Sequence, residues 1–207
     1  MVASTLGLGD HVAMGNLPHR KLVKHPVVPG IARELTFSCY RKLPLLANDE
    51  HKRLLTAAID SAMARNGFEL VAFVYMPDHV HLIVFPVAEG ASVSDLLYAI
   101  KKPHSARVRK AMEERGDGWL DKLMIRERPG KTTFRFWQEG SGYDRQVDSS
   151  RALLSMIEYV HANPVRKGLC NSAGDWPWSS WHSYHASVTV PDGLPVVHGL
   201  PEGRLLP

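Results

Sequence analysis

Cysteine is scarce in this sequence of 207 residues, which has only Cys39 and Cys170. The two residues form no metal-binding or redox spacing, so a disulfide scaffold is excluded and reduced thiols are expected. No apolar run approaches the ~18 residues that a membrane helix needs. The N-terminus has no basic segment followed by a long apolar run, so a signal peptide is not expected. These absences predict a cytoplasmic protein without a membrane contact.

A large excess of one charge sign is also absent, because the formal net charge is only +4, although the sequence pI is about 9.1. One stretch is locally unbalanced: residues 101–110 contain five formal positive charges and no acid. A solvated helix face and a surface that follows DNA phosphates both fit this run. The composition therefore permits a nucleic-acid partner without requiring one.

The length suits one domain with a full core, and there is no internal repeat or low-complexity tract. Residues 1–30 are rich in Gly, Pro and His and are predicted to be a mobile basic arm. Residues 31–185 form the predicted domain, and the Pro/Gly-rich residues 186–207 form a peripheral tail.

Periodicity and turn residues predict an α+β domain with an antiparallel sheet. The helix that starts at Ser92 or Ser94 should kink or end at Pro103, and residues 113–133 should be a loop or insertion. The other predicted elements are strand 34–40, helix 49–65, strands 69–76, 79–85 and 132–137, and a helix from 148 or 149 to 162.

Two histidines, His79 and His81, stand at the start of the apolar, β-branched strand 79–85. Side chains alternate along a strand, so both imidazoles point the same way with Cα atoms roughly 7 Å apart, while Val80 faces the core. That spacing allows both rings to reach one cation. A pair of solvent-facing histidines on a half-buried strand is the simpler interpretation of the same pattern.

Tyr159 and Asn163 are four residues apart and therefore share one face of the last predicted helix. Asn163 precedes Pro164, so the helix is predicted to end there. If this helix packs on the histidine strand, a phenol and a carboxamide oxygen meet two imidazoles. Taken alone, Tyr159 is also compatible with a half-buried helix tyrosine, and Asn163 with an ordinary helix end.

Several ordered motifs resemble the IS200-like HUH nucleases that use one tyrosine, in particular their REP-associated tyrosine transposase branch. The resemblance extends from about Ile31 to Tyr184. The motifs that carry it are His79-Val-His81, Phe136-Trp-Gln138, Tyr143-Asp144, Tyr159 with Asn163-Pro164, and Asp175-Trp-Pro-Trp-Ser-Ser180.

This resemblance implies a ferredoxin-like sheet with helices packed on one face. It also implies an enzyme that cleaves single-stranded or hairpin DNA through a 5′-phosphotyrosine and rejoins it, acting as a monomer or a homodimer. Tyr159 would be the nucleophile, and His79, His81 and Asn163 would hold Mg²⁺ or Mn²⁺. The residues expected to contact DNA are Arg20, Lys21, Lys101, Lys102, Arg107, Arg109, Arg166 and Lys167.

Two alternatives remain open on the sequence. One is a catalytically silent, sequence-specific DNA-binding protein. The other is a metal-dependent phosphoesterase of the two-histidine kind, which would need a second His-containing repeat followed by Ser or Thr. No such repeat is present in the sequence.

Overall fold

The computed structural model describes residues 27–185, 189–201 and 203. Arg20 and Lys21 lie outside these residues, as do most of the predicted arm 1–30 and part of the predicted tail 186–207. The described elements are, in chain order, β1 (Ala32–Ser38), α1 (Asp49–Asn66), β2 (Phe68–Tyr75), β3 (His79–Pro86), α2 (Val93–Arg115), α3 (Trp119–Leu123), β4 (Met124–Arg128), β5 (Lys131–Phe134), β6 (Tyr143–Val147) and α4 (Ser150–Arg166).

Four strands form one antiparallel sheet in the order β2-β3-β1-β6. With α1 after β1 and α2 after β3, this order is the ferredoxin-like arrangement, and the predicted fold class is confirmed. The register places His81 opposite Thr36 of β1, which in turn is opposite Tyr143 of β6. Gly142 leads into β6 with φ +78°, and a Cβ there would overlap the Thr36 carbonyl oxygen.

One detail of that prediction is wrong, because the helices do not all lie on one face of the sheet. Helices α1 and α2 cover the face formed by residues such as Phe73, Val80 and Leu82. Helix α4 covers the opposite face, where Leu153 and Ile157 join a second apolar cluster. Apolar residues that alternate along β2 and β3 point to both sides, so the sheet needs a cover on each.

Helix α2 continues through Pro103 to Arg115. The sequence predicted a kink or an end at Pro103, and an end there is wrong. A proline removes one backbone hydrogen bond, but the buried stripe Ile100, His104, Val108 and Met112 continues beyond it. Residues 113–133 are likewise not a loop. They contain the end of α2, the short α3 and most of the separate two-stranded β4–β5 ribbon.

The segment after α4 covers the free edge of β2. The Tyr75 N–H donates to the Trp178 carbonyl, and the Trp176 indole N–H donates to the Tyr75 carbonyl, both at 2.9 Å. Trp178 is buried and its indole donates to Asp49 of α1. These aromatic residues therefore close the core and protect an edge strand. Within the described part of the chain, no helix is long and apolar enough to cross a membrane.

Two buried histidines make the fold sensitive to acid. Burial lowers the ring pKa of His104 to about 3 and that of His161 to about 4. Histidine in the unfolded chain has a pKa of about 6.5. As the pH falls below this value, these two histidines take up protons in the unfolded chain but stay neutral in the folded chain. Stability present above pH 6.5 is therefore lost on acidification, by about 2 kcal/mol per histidine at pH 5.

Urea unfolding between pH 7.5 and 5 should show this loss. In a His104→Gln, His161→Gln double variant, which cannot take up these protons, the fall should be smaller by about 4 kcal/mol. An unchanged pH dependence in the double variant would assign the acid sensitivity to other groups.

Candidate active site

The histidine pair lies at the start of β3, which begins at His79 directly after Pro77 and Asp78. His79 and His81 project from the same face of the strand, as predicted, and Val80 is buried on the other face. The two Nε2 atoms are 3.2 Å apart. Both imidazoles thus converge on one point.

Carboxylates and a hydroxyl hold the far sides of both rings. His79 Nδ1 lies 2.6 Å from Asp78 Oδ1. His81 Nδ1 lies 2.9 Å from Thr36 Oγ1 and 3.4 Å from Oε1 of the buried Glu34. With Nδ1–H directed at these oxygens, each neutral ring presents the Nε2 lone pair to the convergence point. Sequence reasoning did not assign a role to Asp78, Thr36 or Glu34. Thr36 and Glu34 are two residues apart in β1, so they share one face of that strand.

The convergence point fits a cation. Burial lowers the pKa of His79, in opposition to the Asp78 carboxylate, so the neutral ring is favoured. Two ring nitrogens 3.2 Å apart can share one proton or one cation. Two nitrogens that each lie about 2.0–2.1 Å from one ion are separated by about 3.0–3.4 Å at common coordination angles. The described residues contain no cluster of three His, Cys, Asp or Glu side chains suited to a metal.

Helix α4 brings Tyr159 to the histidine pair. Its ring centroid is 6.2 Å from that of His81, and the two rings meet edge to face. The side chain is 39% exposed, so the phenol remains accessible. The Arg166 guanidinium lies over the tyrosine ring, 4.8 Å from its centroid. All of these residues belong to one chain, so a single copy contains the whole arrangement.

Asn163 is inside α4 and does not end it, since the helix continues to Arg166; the predicted end at Asn163 is therefore wrong. Pro164 has no N–H to bond the Val160 carbonyl. The Asn163 side-chain nitrogen donates to the carbonyls of Tyr159 and Val160 instead, at 2.9 and 3.4 Å. Because the nitrogen is held this way, the carboxamide oxygen is the atom available to a ligand in the cleft.

The cleft around these groups has a volume of about 520 Å³ and is lined by Lys42 and Lys167 as well as by the histidines, Tyr159 and Asn163. Lys42 has a φ of +54°, an uncommon left-handed conformation for a residue other than glycine, and Arg41 before it has +52°. Both lysines can attract a phosphate. Lys167 was predicted to contact DNA, whereas Lys42 was missed because nothing in its local sequence marks it.

A second cleft of about 410 Å³ adjoins the first, and both share Thr36, His81 and Tyr159. Its other lining residues are Glu34, Tyr143, Arg145 and Met156. The phenol therefore stands between two depressions on the α4 face of the sheet.

The predicted DNA-contacting residues fall into two groups. Arg166 and Lys167 lie at the histidine site. Lys101, Lys102, Arg107 and Arg109 lie on α2, which packs on the opposite face of the sheet, and Arg109 is paired with Glu113 at 2.7 Å. The structure thus does not bring the α2 cations to the histidine pair.

The ferredoxin-like sheet, the His-Val-His strand and the helix-borne tyrosine lie together as the resemblance to the IS200-like enzymes implies. The family model described as "Transposase IS200 like" matches residues 31–126. That segment includes the histidine pair and ends before Tyr159 and Asn163. The resemblance to the IS200-like family is confirmed.

This chain is also similar to several known proteins. A candidate REP-associated tyrosine transposase from Haemophilus influenzae is 25% identical over 115 residues, which are 56% of this chain and 60% of the relative's length. The structure of a REP-associated tyrosine transposase bound to a REP hairpin superposes with a TM-score of 0.59. At 19% identity it covers 87% of this chain and 97% of its own, and it supports the fold. A candidate transposase structure from Deinococcus radiodurans has a TM-score of 0.41 at 17% identity, over 70% of this chain and 93% of its own.

Proposed function

We propose that this protein is a transposase-type enzyme that cuts and rejoins single-stranded DNA at hairpin-forming sequences. The observation that carries the proposal is the placement of an accessible tyrosine, Tyr159, edge to face against His81, whose Nε2 converges with that of His79. A DNA-cleaving activity agrees with the family resemblance. A cytoplasmic location follows from the proposal, since the DNA substrate lies there.

The reaction replaces one phosphodiester bond with another. The phenolic oxygen of Tyr159 forms a bond to phosphorus, the bond from phosphorus to the 3′ oxygen breaks, and that oxygen leaves as a 3′-hydroxyl. The phenol gives up one proton and the departing 3′ oxygen takes one up, so the step is balanced, and the 5′-phosphate remains attached to the tyrosine. The covalent link conserves the bond energy, so a new 3′-hydroxyl can reverse the step and join a different strand.

His79, His81 and Asn163 are the proposed ligands of a divalent ion, with Mg²⁺ favoured by availability and Mn²⁺ by the two nitrogens. When bound, the ion supplies Lewis-acid stabilisation of the charge that develops on the phosphate. Asp78, Thr36 and Glu34 orient the two rings. Lys42 and Lys167 add positive charge at the rim of the cleft, where the strand would enter.

Substitution of Asn163 separates its two proposed roles. Asn163→Ala and Asn163→Asp both remove the donor to the Tyr159 and Val160 carbonyls, so each should lower the free energy of unfolding by about 1–3 kcal/mol. Only the aspartate retains an oxygen for the ion. We expect Asn163→Ala to need at least about tenfold more Mn²⁺ for half-maximal adduct formation, and Asn163→Asp to need much less extra.

Urea unfolding and a Mn²⁺ titration of adduct yield measure these two effects. High Mn²⁺ should restore much of the Asn163→Ala rate, because two imidazoles hold Mn²⁺ better than Mg²⁺. An alanine variant with the wild-type metal titration would remove Asn163 from the ligand set and leave it a helix-stabilising role.

The DNA partner should be single-stranded or hairpin DNA. A tyrosine in a cleft on a sheet face cannot easily reach a phosphate in regular duplex, so hairpin DNA with a single-stranded flank should form the adduct and blunt duplex should not. Binding should weaken as salt rises, because basic groups displace counterions. Denaturing gel electrophoresis of protein mixed with each DNA and Mn²⁺ is the direct test.

Binding without any adduct would favour the catalytically silent DNA-binding alternative. Cleavage without an adduct would favour the phosphoesterase alternative. Equal adduct yields from hairpin and duplex would contradict the proposed substrate preference.

A further inference from the structure

A separate cavity of about 400 Å³ lies between α2 and residues 134–141. It is bordered by Tyr98, Lys101 and Lys102 from α2 and by Phe134 and Trp137 opposite. We call it the Lys101 pocket. It opens on the α2 side of the sheet, away from the histidine site, and the mechanism proposed above does not use it.

Lys101 is an unusual cation because its partners are uncharged. Its ammonium donates to the Gly140 carbonyl at 2.9 Å and lies 4.9 Å from the centre of the Phe37 ring. Among the described residues, no carboxylate pairs with it. Burial lowers its pKa to about 8. A partly buried cation without an opposite charge is unfavourable, and an anionic ligand would supply that charge.

The other charged side chains around the pocket leave its net charge positive. Arg135 is neutralised by Glu127 and Glu139, at 3.1 and 2.5 Å. Lys102 bonds the Tyr98 hydroxyl at 2.6 Å and lies over its ring, so it adds a second cation. Tyr98 is 62% exposed, so much of its ring remains accessible beside Lys102. Aromatic surfaces beside lysines are the combination that binds nucleotides of a single strand.

The pocket is also connected to the histidine site through the end of β1. Ser38 pairs with His79 in the sheet, and its carbonyl accepts a hydrogen bond from the Gln138 N–H. Cys39 forms an isolated antiparallel β-bridge with Trp137, which lines the pocket. The two sites therefore lie on opposite faces of the sheet at the same end of β1. A DNA strand that leaves the cleft need only pass around this end of β1 to reach the pocket.

We infer that the Lys101 pocket binds one nucleotide of the single-stranded flank of the DNA, with the base on the Tyr98 ring and the phosphate at Lys101 and Lys102. The inference rests on the proposed function, because the same strand must occupy the cleft at Tyr159. It assigns the α2 lysines a binding site on the far face of the sheet, in place of a contact at the scissile phosphate.

Competitive acetylation tests the pocket without any catalysis. In the free full-length protein at pH 8, Lys101 should react faster than the exposed Lys110, because a larger fraction of its amine is neutral. A hairpin with a single-stranded flank should reduce labelling of Lys101 by at least about fivefold, since a phosphate raises the amine pKa and shields it. Labelling of Lys110, read by mass spectrometry, should change less than twofold.

Two variants test affinity through different interactions. Lys101→Met removes the cation and Tyr98→Ala the exposed ring, and each should weaken binding of the flanked hairpin about tenfold, while Lys110→Met serves as the charge-matched control. A flankless hairpin should bind all four proteins with ratios near one. At saturating DNA, the Lys110→Met control should form the Tyr159 adduct at the wild-type rate.

The outcomes separate this inference from the proposed function. Protection of Lys101 in a protein that forms no adduct would uphold the pocket and reject the chemistry. Normal adduct formation with wild-type affinity in both variants would reject the pocket alone. Protection by deoxyadenosine monophosphate but not by the oligonucleotide would assign the pocket to a free nucleotide and overturn the DNA assignment.

Discussion

Tyr159→Phe is expected to abolish the covalent DNA adduct while leaving the protein folded. The change removes one oxygen from a side chain that is 39% exposed, and the ring keeps its contacts with His81 and Arg166. Stability should therefore change by less than about 0.5 kcal/mol. Adduct formation should fall at least about a thousandfold, because nothing else in the arrangement replaces the attacking oxygen. High Mn²⁺ should give no rescue.

The position of the label determines what the assay shows. The proposed link joins Tyr159 to the 5′-phosphate of the downstream fragment, so a 3′-end label should migrate with the denatured protein. A 5′-end label should appear in a shorter free strand with a 3′-hydroxyl. The reverse pattern would contradict the proposed polarity.

Tyr143→Phe is the matched control for this experiment. Tyr143 is 54% exposed, lies opposite Thr36 and lines the adjoining cleft on the same face of the sheet. We expect this variant to retain the adduct. If the Tyr159→Phe protein still forms a denaturant-resistant adduct and the Tyr143→Phe protein does not, Tyr143 is the nucleophile.

Replacement of either histidine should have the second largest effect. The Nε2 atoms of His79 and His81 lie 3.2 Å apart, so each ring supplies one of two converging nitrogens. His79→Ala and His81→Ala should each lower Mn²⁺ affinity more than about 100-fold, since even partners beyond the ligands cost 10–100-fold. Adduct yield at limiting Mn²⁺ should fall in parallel, and a chelator should produce the same loss in the wild type.

The two histidine variants should differ in stability. His81→Ala leaves the buried Glu34 without its imidazole neighbour and should cost about 1–3 kcal/mol, whereas His79 is less enclosed. His185→Ala is the control, because this ring stacks on Trp181 away from the site. Calorimetric titration with Mn²⁺ that shows equal affinity in all three variants would remove the histidines from metal binding.

Local sequence was enough for most of the elements and for the direction of the key side chains. Alternation along 79–85 correctly placed His79 and His81 together and Val80 in the core, because strand geometry has a fixed period. The four-residue spacing of Tyr159 and Asn163 correctly placed both on one face of a helix. The fold class followed from the order of elements together with the family resemblance.

Local rules failed where distant packing outweighed them. Pro103 and Pro164 both lie inside helices. At Pro103 the buried stripe of α2 continues past the proline. At Pro164, moreover, the Asn163 amide bonds the carbonyl that the proline leaves free.

Only the tertiary structure decided which residues meet. Periodicity gives the face of an element but not the element that covers it, and apolar residues on both faces of the sheet allowed α4 to pack opposite α1 and α2. That choice places Tyr159 beside His81 and separates Lys101 from both. It also brings Glu34 and Thr36 to His81 across the β1–β3 register, a contact between residues 45 or more positions apart that no local pattern encodes.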